Sequence, residues 1–144
     1  LEQAMRVFWA RGFAAAGLTE LLEAMNIGRK SMWYRGPSAT VEMELTNEGR
    51  RILGERVGPF PVRYHNGPIV SPANLSNLPD YQVLAWFRSE VAHYEPQKGT
   101  MVNTPAIITG AFGKGRVLSI SPHPESSKDL RSMVARGIRW VSGN

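Results

Sequence analysis

The chain has 144 residues and a mass of 16.0 kDa, a size for one domain or one small domain with an appendage. Its 42% hydrophobic and 20% charged residues suit a globular core and argue against wholesale disorder. No run approaches the ~20 apolar residues of a membrane-spanning helix, and the absence of cysteine excludes disulfides, zinc–thiolate sites and a cysteine nucleophile within these residues.

Lys+Arg 17 against Asp+Glu 12 gives a net charge of +5. Residues 1–34 hold four basic and three acidic side chains, and the remainder 13 and 9. The excess is therefore not N-terminal, and a solvated surface explains it more simply than a nucleic-acid footprint. Leu1 opens a helical pattern with no initiator Met before it, so a truncated or processed start is expected. No secretory signal is recognisable, and the expected compartment is the cytoplasm.

Leu1, Ala4, Met5, Phe8 and Trp9 form the stripe of an amphipathic helix that Gly12 stops. Leu18, Leu21, Leu22 and Met25 give the apolar face of a second helix, with Thr19 as its cap. Asn26-Ile27-Gly28 is a turn, and residues 29–34 offer the start of a third helix. Two short helices, a turn and a basic, aromatic third helix make a helix-turn-helix, whose third helix enters the major groove. Arg29, Lys30, Ser31 and Tyr34 are then the candidate DNA contacts. The alternative is a helical pair that covers another surface of the chain.

After residue 34 the period changes. Arg35-Gly36-Pro37-Ser38 breaks the helical pattern, and residues 41–45 alternate apolar and polar as a half-buried strand does. Residues 46–54 read as a turn or short helix. Residues 55–80 are rich in Gly, Pro and Asn, with a short strand at 61–64. Another strand is expected at 82–87, then a hairpin of 105–112 and 116–120 across Gly113-Lys114-Gly115. The string 110–115 lacks the spacing of a phosphate loop and leads into a strand. Ser126 or Ser127 is expected to cap a final helix with the apolar face Leu130, Met133, Val134, Ile138 and Val141.

Two strings carry chemistry. Ser121-Pro122-His123-Pro124-Glu125 lies between an expected buried strand and the final helix. His and Glu two residues apart face one way in an extended segment. A carboxylate beside imidazole fixes its tautomer, which suits a base and its orienter. The simpler reading is Pro-rich punctuation with Glu125 near a helix N-terminus. In His65-Asn66-Gly67, the first two side chains could border a cleft, although Asn-Gly is first of all a hairpin turn.

Residues 1–34 resemble part of the TetR-family DNA-binding domain, through Ala4, Phe8, Gly12-Phe13, Leu18, Leu21, Ala24-Met25, Ile27-Gly28, Ser31 and Trp33. The family's fourth helix, its ligand domain and its basic N-terminal arm have no counterpart here. Residues 35–144 resemble the C-terminal half of a class I glutamine amidotransferase-like domain, in particular the biotin–protein ligase N-terminal-like branch. The matching strings are 41–46 with Gly49-Arg50-Arg51, then Arg63-Tyr64-His65-Asn66-Gly67-Pro68 and Leu78-Pro79-Asp80-Tyr81. They continue through Met101-Val102, Thr104-Pro105-Ala106, residues 113–117, residues 121–125 and Ile138-Arg139-Trp140-Val141.

The second resemblance implies an α+β remnant of a flavodoxin-like α/β fold. It would hold a small mixed or antiparallel sheet, a C-terminal helix and the N-terminal helices packed nearby. It places His123 and Glu125 on the His and Glu of a Cys-His-Glu triad, a vestigial base and orienter whose nucleophile is absent. The implied module has no catalytic activity of its own and no cofactor or metal. The partners to expect are duplex DNA, through the helix-turn-helix, or a second copy, through an exposed sheet edge. No membrane is expected.

Overall fold

The computed structural model describes residues 32–33, 37–72, 74, 80–92, 98–112 and 115–143. The two N-terminal helices expected before residue 26, and Arg29, Lys30, Ser31 and Tyr34, lie outside the described residues. Within them the chain is α+β. Strand β1 (Met32–Trp33) precedes β2 (Ala39–Leu45), α1 (Asn47–Leu53), β3 (Phe60–Tyr64), β4 (Pro68–Ile69) and β5 (Gln82–Phe87). Then come β6 (Pro105–Phe112), β7 (Gly115–Ile120), a 3-10 turn (Pro124–Ser126) and α2 (Arg131–Ser142).

Five strands form one sheet in the order β3-β2-β5-β6-β7, and every neighbouring pair is antiparallel. Alternation explains the outer part of it. Val41, Met43 and Leu45 of β2 are buried while Thr40 and Glu42 face out, and Phe60, Val62 and Tyr64 of β3 repeat the pattern. Tyr64 and Phe87 meet edge to face inside the sheet, 5.8 Å apart. The interior strand β6 buries both Ile107 and Ile108, because Val70, Tyr81 and Val83 cover Ile108 on the outer face.

Both helices pack on the inner face. Thr46 caps α1 by accepting from the Gly49 N–H at 3.0 Å, and its own N–H donates to Leu84 O at 2.9 Å. That seat is tight: a Cβ on Gly49 would lie 1.9 Å from Leu84 O. Helix α2 sends Leu130 and Met133 into the core and crosses β7 at Gly137, where a Cβ would come within 2.5 Å of Leu118 Cδ2.

The sheet curls until its far ends approach. Ser121 N donates to Ala106 O on β6, and two residues later His123 N donates to Arg63 O on β3. Two residues span at most ~7 Å. Ser121 continues β7, and in a flat sheet β7 and β3 would stand four strand spacings apart, about 19 Å, beyond the reach of two residues and one hydrogen bond. The same bond protects the β3 edge, since Arg63 O is occupied and Pro61 has no N–H to offer.

Four expectations are corrected. Met32–Trp33 is extended and pairs antiparallel with Pro68–Ile69, so no third helix runs through 32–33; strand pairing supplies the backbone partners that a helix would have. Neither Ser126 nor Ser127 caps the final helix, which starts at Arg131 with Leu130 at its N-cap and no side-chain cap bond. The Pro-containing turn consumes those residues instead. Ile138 is 64% exposed and does not belong to the buried face, because Gly137 takes the contact position. Finally, β7 is a half-exposed edge strand rather than a buried one.

Candidate functional site

The seam where the sheet ends approach is built from the β3–β4 connection and the segment after β7. It brings together His65, Asn66, His123 and Glu125. His65-Asn66-Gly67 does not turn a hairpin, because β3 pairs with β2 and β4 with β1. Asn66 adopts a left-handed φ of 53°, which Asn tolerates better than most residues. Gly67 is required by proximity: a Cβ there would lie 2.3 Å from Ser121 O and 2.6 Å from Ser121 Oγ. The buried Tyr64 hydroxyl donates to the Gly67 carbonyl, and Ser121 Oγ donates to Pro68 O at 2.6 Å. Burial pushes the Tyr64 hydroxyl up to about 12. The loop is thus held from below by Tyr64 and from the side by Ser121.

His123 lies against this loop. Its Nδ1 is 2.8 Å from Glu125 Oε1 and its Nε2 is 3.0 Å from the His65 carbonyl oxygen. Glu125 reaches the ring from the 3-10 turn and not from an extended segment. Burial alone would raise the Glu125 carboxyl. The His123 hydrogen bond, a backbone hydrogen bond and the charges of His123 and Arg63 outweigh it and hold the carboxyl below its usual value.

Both ring nitrogens therefore face acceptors. An imidazolium donates to both, whereas a neutral ring leaves one lone pair opposed to an oxygen. A general base needs the opposite arrangement, a bare nitrogen aimed at the proton it takes. Here Nε2 must carry a hydrogen to satisfy His65 O. Among the described residues no hydroxyl is bonded to His123.

The His65 ring contributes differently. Its Nε2 sits 3.2 Å from Asn66 Nδ2, and its Nδ1 is buried with no partner among the described residues. With Nε2 accepting from the amide, the ring proton sits on Nδ1, a stranded donor that costs about 1–3 kcal/mol. What touches His123 is the His65 backbone, not its side chain.

Two arginines that the sequence did not single out complete the site. Arg63 Nε donates to Ser38 Oγ at 2.8 Å and its second arm to Ser126 Oγ at 3.3 Å. Arg131 Nε donates to the Glu125 carbonyl at 3.1 Å. Arg63 opens the string that ends in Gly67-Pro68, so its position was a usable signal; Arg131 carried none. Among the described residues no cluster of His, Asp or Glu could hold a metal ion, and no helix is long and apolar enough to cross a membrane. Compared with known proteins, the chain matches no family model, no curated protein and no solved structure.

Proposed function

We propose that these residues form an amidotransferase-like module in which the His123–Glu125 pair works as a structural clamp and not as a catalytic base with its orienter. The observation that carries this reading is the 3.0 Å contact between His123 Nε2 and the His65 carbonyl, which occupies the nitrogen a base would use. Support for the family reading comes from placement. Two strings that resemble the family, 63–68 and 121–125, meet at one seam. Gly49 and Gly67, both within matching strings, sit where any Cβ would strike backbone.

The pair fastens the loop 65–67 to the exit of β7. The carboxylate orients the ring through Nδ1, and the ring holds the loop through Nε2. The test is hydrolysis of glutamine and of an activated ester by the 144-residue chain and by His123→Ala. Both proteins should stay at the uncatalysed rate, with His123→Ala losing stability. Turnover that disappears in His123→Ala would overturn the clamp.

A further inference from the structure

The two edges of the sheet are treated differently. The β3 edge is closed by Pro61 and by the His123 N–H. Strand β7 has neither device: it contains no proline, and among the described residues no strand lies beyond it. Because Ser121 N points to Ala106 O, antiparallel alternation turns residues 115, 117 and 119 toward β6. The N–H and C=O groups of Arg116, Leu118 and Ile120 are left on the free side.

Beside that edge runs a groove of about 530 Å³ between β7 and α2, lined by Leu118, Ile120, Val134, Ile138 and Val141. Its charge is one-sided. β7 and α2 carry four arginines and no carboxylate; Arg116 lines the groove itself, Arg131 and Arg139 lie elsewhere on α2, and Arg136 lies over Gly54 on the side of α2 away from the groove. None of the four is ion-paired among the described residues. Arg116 holds the Trp140 carbonyl at 2.7 Å and lies over its ring, and Arg131 holds the Glu125 carbonyl. Both partners are neutral, so the charges stay uncompensated.

We infer that this surface binds an extended acidic segment of another protein, which adds to β7 as a sixth strand. Its backbone pairs with Arg116, Leu118 and Ile120. Its apolar side chains enter the groove, and its carboxylates meet Arg116 at the groove's rim. A second copy of this chain fits less well, since it would bring the same arginine to the interface. Nucleic acid would meet the charge but leave the apolar lining uncovered.

The probe is an acetylated eight-residue peptide alternating valine with glutamate, added to the full chain while amide hydrogen exchange is followed by NMR. Exchange at Leu118 and Ile120 should slow at least tenfold. Ile138→Glu should weaken binding at least tenfold and Arg116→Ala at least fivefold, with melting curves confirming that both variants fold. Four results would each overturn the inference: no slowing at millimolar peptide, equal binding of the valine–lysine counterpart, equal protection by a duplex oligonucleotide, or self-association that protects the same amides without peptide.

Discussion

Replacing Gly67 with alanine tests whether the seam is built as described. The added Cβ would lie 2.3 Å from Ser121 O and 2.6 Å from Ser121 Oγ, so loop and strand exit must separate by about 1 Å to reach ordinary contact. Such overpacking costs about 1–3 kcal/mol. The shift also pulls on the Tyr64–Gly67 and Ser121–Pro68 hydrogen bonds, each contributing about 1 kcal/mol. Alanine returns about 0.4–1 kcal/mol by stiffening the unfolded chain. The net expectation is a loss of about 3 kcal/mol. For 144 residues the unfolding entropy is about 0.3 kcal/mol/K, so the melting temperature should fall by about 10 °C. Gly110→Ala is the control, because nothing lies within 4 Å of a Cβ there. It should stay within about 0.5 kcal/mol of the parent. Calorimetry on the three proteins decides. Equal melting of Gly67→Ala and the parent, or an equal fall in both variants, would refute the close approach.

Three further outcomes are expected. The Glu125 carboxyl is held below its usual 4.5, so its charged form stabilises the fold above about pH 4.5. That contribution fades as pH falls through the lower folded value. Because the side chain is 55% exposed, Glu125→Gln should cost at most about 1 kcal/mol at pH 7, with the gap closing once the carboxyl is protonated in both states; a gap that persists there would show the contribution is not ionic. Tyr64 moves from 10.0 to about 12 in the fold, so its stabilising share is complete below pH 10 and about 3 kcal/mol is lost as pH rises through 12. Urea titrations should show Tyr64→Phe about 1 kcal/mol less stable than the parent at pH 8 and more stable than it by pH 12, and parallel curves would exclude the burial account. If residues 1–34 bind DNA, duplex affinity should fall with salt, and Arg29→Ala and Lys30→Ala should each reduce that slope by about 1. No binding at 50 mM salt would end that proposal.

Strands and hairpin were legible because alternation and turn chemistry are local. β5 falls on 82–87 as expected, and β6 and β7 form the expected hairpin, closing at Phe112 and Gly115. Misreadings arose where tertiary contacts decide. Asn66-Gly67 has the residues of a hairpin turn, yet Gly67 is needed because Ser121 lies against it. Ile138 fits the helical stripe, yet α2 crosses β7 through Gly137. The His-x-Glu pairing was legible by spacing, but its geometry comes from a 3-10 turn. The partner of His123 is a main-chain carbonyl, which residue identity at position 65 does not announce.

The bond from His123 N to Arg63 O has a consequence for how the site can be dissected. It belongs to the peptide backbone, so every side chain but proline preserves it. The imidazole can be removed without unfastening the sheet's closure, and a variant such as His123→Ala reports on the ring's hold on the 65–67 loop alone. His123→Pro removes ring and donor together, so its difference from His123→Ala isolates the donor: it uncovers the Arg63 carbonyl and frees one border of the sheet for pairing between molecules. Loop fastening and colloidal behaviour thus meet at one residue yet divide between its ring and its amide.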